Sequence, residues 1–214
     1  GLQSLKMLNG NVISPSQRSK INRQFSGVLF AEDIPKLLQP KQTTLDLSGR
    51  EMRDVNALRS DYLSSLDISN NLIASIDWHY DSFPHMQQLL VQNNNLQSLT
   101  FLSAVPSLRV INLAGNKLSD AHVDILCKMK LPHLISLSLA SNTLKKAPFL
   151  SHFQSLESID LSHNFISNVD KGSFECGSLK IINLSYNSLR KLDNVGTSSL
   201  LSLDVSHNRI PSVE

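Results

Sequence analysis

The chain has 214 residues, with 20 Lys and Arg against 18 Asp and Glu, and its formal charge of +2 is too near neutral for an overall field that would select nucleic acid or a membrane surface. Its longest apolar runs fall well short of the roughly 20 residues needed to cross a bilayer. Leucine fills 36 positions while aromatic residues make up only 6%, so the interior is expected to repeat one aliphatic slot. The two cysteines, Cys127 and Cys176, are too few for a stapled secreted framework and favour a reducing compartment.

Residues 1–40 differ in pattern from the rest of the chain. After Leu8-Asn9-Gly10, Ser14 offers an N-cap, Pro15 a first helical residue and Gln17 the partner of a capping box, which predicts a helix over 15–25. A second short helix is expected from Asp33 to Gln39, with Pro35 near its start.

From residue 41 onward one phrase recurs. Apolar residues Leu45, Leu66, Leu89, Ile111, Leu137, Ile159, Ile182 and Leu203 lie 21, 23, 22, 26, 22, 23 and 21 residues apart. Each is followed two residues later by another apolar side chain, from Leu47 to Val205, an alternation with the period of a half-buried strand. Three residues beyond that pair stand Arg50 and then Asn71, Asn94, Asn116, Asn142, Asn164, Asn187 and Asn208. A buried bend leaves backbone groups pointing inward, and an amide that both donates and accepts satisfies them, so these asparagines are read as structural. Arg50 cannot take such a slot, and its turn is expected to be exposed. The 26-residue interval holds Ser119-Asp120 followed by Val123, Leu126 and Cys127 at helical spacing, which predicts one α-helix over about 120–129. The other returns, with little chain to spare, should be 3₁₀ or extended. Cys127 and Cys176 then fall two turns apart, roughly 10 Å, beyond disulfide reach, and both thiols should be free. The last phrase, "RIPSVE", carries Ile210 and Val213 without a polar closing segment, and a piece of a longer chain is expected.

Catalytic motifs are missing: no glycine loop for phosphate, no Cys-x-x-Cys and no His-Glu-x-x-His. Asp160, Ser162 and His163, with Asp204, Ser206 and His207, supply the residue types of a nucleophilic relay or a metal site. The register puts His163 and His207 two turns apart with Tyr186 between them, too far to share an ion, so no catalytic, cofactor or metal role is assigned. The pairs Lys145-Lys146 and Arg190-Lys191 read as a solvated rim, and the sequon at Asn183 as accidental.

The phrase L-x-x-L-x-L-x-x-N-x-L at this period resembles the leucine-rich repeat family over about 42–214. The resemblance implies an α/β fold: a right-handed leucine-rich repeat solenoid, or horseshoe, with a concave parallel sheet, a convex side mainly of 3₁₀ and extended segments and the single helix near 120–129. It implies about eight repeats over 41–214. The segment 1–40 resembles the helical cap that closes intracellular arrays, as if an upstream array ended there. Short period and sparse cysteines resemble phosphatase-regulatory and ciliary members. The expected function is therefore a non-enzymatic protein-interaction scaffold, cytoplasmic and cytoskeletal or ciliary, with a protein partner on the concave face and no small-molecule substrate, nucleic acid or membrane span. The face is roughly 35–40 Å long for eight strands. Its expected contact residues are Arg109, Glu157, Asp160, His163, Lys180, Tyr186, Asp204 and His207, since amphipathic rings supply area with a polar handle. Two alternatives stand beside this. "NFISNVDKGSF" at 164–174 is similar to the outer segment of secreted repeats, with Phe174 in the apolar slot, and suggests a fragment of an extracellular recognition receptor. An RNA-associated array would use the Lys145 and Arg190 edge.

Overall fold

A computed structural model describes residues 7–8, 11–12, 38–80 and 82–211. Strands β1 (Met7–Leu8) and β2 (Asn11–Val12) pair antiparallel, Met7 opposite Val12. The helix expected over 15–25 lies outside the described residues, as does most of that over 33–39, of which Leu38 and Gln39 are not helical.

The repeated phrase builds eight three-residue strands: β3 (Thr44–Asp46), β4 (Ser65–Asp67), β5 (Gln88–Leu90), β6 (Val110–Asn112), β7 (Ser136–Ser138), β8 (Ser158–Asp160), β9 (Ile181–Asn183) and β10 (Ser202–Asp204). They pair parallel in strict chain order. Their register runs Leu45, Leu66, Leu89, Ile111, Leu137, Ile159, Ile182, Leu203, the column that the spacing predicts. Those side chains are buried from Leu66 to Ile182, and Leu45 and Leu203, in the two end strands of the described sheet, are half-covered. Such a stack buries a continuous core that no single turn could close.

Beyond each strand the chain bends through the asparagine column, buried from Asn71 to Asn187. Asn142 is representative. Its Oδ1 accepts the N–H of Asn116 and of Leu118 at 3.2 and 2.8 Å, while its Nδ2 donates to the carbonyls of Leu113, Leu139 and Ala140 at 3.1, 2.9 and 3.1 Å. Leu139 and Ala140 belong to its own turn; the other partners belong to the turn before. Asn71 does the same for the first turn, accepting from Arg50 and Met52 N–H, each at 2.9 Å. Arg50 itself is exposed.

One step earlier in the bend lies a column with positive φ in every turn: Gly49, Asn70, Asn93, Gly115, Ser141, His163, Tyr186 and His207, between 53° and 65°. Glycine and asparagine adopt this left-handed backbone most readily, whereas a bulky side chain strains it. At Gly115 space is also short, since a Cβ would lie 2.4 Å from Asn93 Oδ1.

Among the described residues the outer side carries a 3₁₀ turn (Thr100–Ala104) and one α-helix, α1 (Asp120–Leu126). The helix is shorter than expected, because Lys128 and Met129 N–H bond the carbonyls of Ile125 and Leu126, three residues back, and tighten its end. At its start Ser119 N–H donates to His122 Nδ1 at 3.0 Å. Asp120 Oδ1 accepts Lys145 and Lys146 N–H, tying the helix to the next turn. Trp78 meets Phe83 and Phe101 edge-on, at 4.6 and 5.7 Å between centroids, and its indole N–H donates to the Val55 carbonyl.

Cys127 and Cys176 are free and buried. Burial, then the charge of Asp124, pushes the Cys127 thiol up to about 12. At pH 8 neither thiol should react with a maleimide until the chain unfolds. Because the native pKa of Cys127 lies above its ordinary value of 9.0, its contribution to stability is complete below pH 9 and is lost as pH rises toward 12. Urea midpoints across that window should fall, and Cys127→Ala should flatten the fall.

Candidate binding face

Alternation about the buried central residue of each strand leaves its two neighbours on the open side of the sheet. One column is therefore Thr44, Ser65, Gln88, Val110, Ser136, Ser158, Ile181, Ser202, and the other Asp46, Asp67, Leu90, Asn112, Ser138, Asp160, Asn183, Asp204. The second column also shapes the bends. The Oδ1 atoms of Asp46, Asp67, Asn112, Asp160, Asn183 and Asp204 each accept the backbone N–H two residues on, at 2.8–3.0 Å. Those bonds hold the carboxyls of Asp46 and Asp204 below the ordinary carboxylate range, through the Ser48 and Ser206 N–H groups first.

Of the sequence-predicted contact residues, the structure brings His163, Tyr186 and His207 together. Their rings stack in one file: His163 on Tyr186 at 4.3 Å and 10°, Tyr186 on His207 at 4.0 Å and 12°. Three exposed rings thus project from the left-handed column on neighbouring turns. Tyr186 fills the gap between the imidazoles, and Asp160 bonds the Ser162 backbone, not its hydroxyl or His163. Asp160 and Asp204 flank the file, each three residues before a histidine. Arg109, Glu157 and Lys180 precede their strands and sit at the opposite end of the face. Lys180 and Glu157 are paired with each other at 2.9 Å. The rim pairs are partly neutralised on the outer side, Lys146 by Asp124 at 3.7 Å and Lys191 by Asp193.

The left-handed column escapes a reading of the sequence alone, although two glycines and two asparagines at one register mark it. So do the roles of Asp120 and His122, which fasten the helix.

Three leucine-rich repeat family models match residues 107–129, 132–172 and 154–210. The stack is an array of leucine-rich repeats. Over 95 residues it is 34% identical to an uncharacterized leucine-rich repeat-containing protein of Schizosaccharomyces pombe, a match covering 42% of this chain and 15% of that protein. Among solved structures, the array is similar to that in a TLR13–ssRNA13 complex, with 26% identity and a TM-score of 0.71 over 79% of this chain and 25% of the other. The leucine-rich repeat domain of APL1B is similar at 25% identity and a TM-score of 0.54, over 78% of this chain and 44% of that one. InlP of Listeria monocytogenes, 20% identical with a TM-score of 0.61 over 76% of this chain and 45% of its own, shares the fold. The chain therefore spans less than half the length of each of these proteins. Among the described residues, no helix of the array is long and apolar enough to cross a membrane.

Proposed function

We propose that residues 41–214 form a non-enzymatic protein-interaction module which holds a protein partner against the inner sheet face, and that it works in the cytoplasm, on a cytoskeletal or ciliary assembly. One observation carries the reading. His163, Tyr186 and His207 occupy backbone positions that glycine or asparagine would fill with less strain, and they present stacked rings to solvent. Folding does not ask for rings there, so contact with a partner is the use they serve. Two buried free thiols support a reducing compartment.

Phe174 is buried in the slot that secreted repeats share, and this favours the extracellular receptor as a second reading. RNA, the ligand named with the TLR13 structure, is a poorer fit to the inner face, whose two strand columns contain no Lys or Arg.

A photo-crosslinking amino acid at Ser138, central on the inner face, is compared with one at Lys128, exposed on the outer side. Protein adducts from position 138 and none from 128 are the expected result. Adducts from 128 alone, or an RNA adduct at 138, would reject the proposal.

A further inference from the structure

We infer that the partner lays an extended, arginine-bearing basic segment along the inner face; this rests on the reading of that face as the binding surface. Charge supplies the first part of the fit. The whole chain is +2, yet the two strand columns and the left-handed column carry Asp46, Asp67, Asp160 and Asp204 and no lysine or arginine. At one border of the face, Lys180 is already spent on Glu157. Arg109 stands at the same border, but the three columns themselves carry only negative charge, and a basic partner is the complementary one for them.

The bend bond itself can be made without a charge. Asn112 and Asn183 make the same bond to the N–H two residues on that the aspartates make, both at 3.0 Å. An amide at Asp160 would close the bend as Asn112 and Asn183 close theirs. Asp67 and Asp160 keep a second carboxylate oxygen with no hydrogen bond among the described residues.

The ring file supplies the second part of the fit. Tyr186 covers one face of the His163 ring. Toward its other face the column continues with Ser141 and Gly115, which offer no side chain larger than a hydroxymethyl group. A notch one turn wide, over Ser141, is thus bounded by an imidazole plane on one side and by the Asn93 side chain lying over Gly115 on the other, with Asp160 in the same turn as His163. A guanidinium is planar, stacks on aromatic faces and pairs with carboxylate through a fork of N–H donors, so it matches both walls; an ammonium matches only the carboxylate. From Asp67 to Asp160 is four strand steps, roughly 19 Å, which an extended segment of about six residues spans.

The test is fluorescence anisotropy with short labelled peptides alternating serine with arginine, lysine or glutamate, and with a single-stranded RNA of similar length, near physiological salt. The arginine peptide should bind best and the glutamate peptide not at all. Asp160→Asn and Asp204→Asn should each weaken the arginine peptide about five- to tenfold, and Asp160→Asn should leave the urea midpoint in place. His163→Ser should weaken the arginine peptide about fivefold and the lysine peptide less. Lys145→Gln, on the outer side, should change nothing. Equal binding of arginine and glutamate peptides, tighter binding of RNA, aspartate variants without effect, or no arginine-peptide binding at millimolar concentration would each overturn the inference. A crosslink from position 138 to an acidic or uncharged protein segment would overturn it while leaving the inner-face reading intact.

Discussion

Asn142→Ala should lower the unfolding free energy by about 3–5 kcal/mol, a large effect for one side chain. The variant removes five hydrogen bonds at once and leaves two N–H groups without a partner, while the three carbonyls keep only their bonds from Asn116 Nδ2, Asn164 Nδ2 and the Gly115 N–H. Asn142 is 4% exposed, so little water reaches the site to replace them. The damage sits mid-array, and a linear stack is held together only by neighbouring contacts. Urea unfolding followed by far-ultraviolet circular dichroism should therefore separate from unfolding followed by the fluorescence of Trp78, which reports the first turns. In the parent chain the two curves should coincide. A loss under about 1 kcal/mol, the worth of one ordinary hydrogen bond, would mean that the amide column is dispensable.

Phe83→Ala should cost about 3–5 kcal/mol. The ring is fully buried and packs edge-on against Trp78, a geometry that adds roughly 0.5–1.5 kcal/mol to the burial of its area. Phe101 approaches Trp78 from another side, so the cavity left by Phe83 is walled by large rings that cannot easily collapse into it. The chain has one tryptophan, and its emission should shift to the red in the variant even before unfolding. Phe83→Leu, which keeps most of the volume, should cost under half as much.

The strand register and the asparagine column were legible because each is a demand that every turn makes alike, and eight turns repeat it. The helix was legible in its start, where Ser119 and Asp120 carry local chemistry, and less so in its end, where bonds to Ile125 and Leu126 close it early. The left-handed column was not, since Ser141, His163 and Tyr186 have no preference for that backbone; the surrounding turns impose it. The sequence placed Tyr186 between two histidines and could not show that the three rings lie face to face. Asp160 and Asp204 read as contact residues alone, whereas one oxygen of each also shapes its bend. Pairing of Lys180 with Glu157 needed coordinates, because long side chains on adjacent strands have many rotamers open to them.

The amide column points one way along the chain. Asn71 closes the loop that holds Arg50 and Met52, Asn142 the loop of Asn116 and Leu118, and Asn208 donates back to the Leu184 carbonyl. No loop is complete until the one after it has been laid down. Emerging from a ribosome in that order, the nascent coil would always be one unit ahead of its last finished knot, and its newest bend would stay wet until the following phrase arrived.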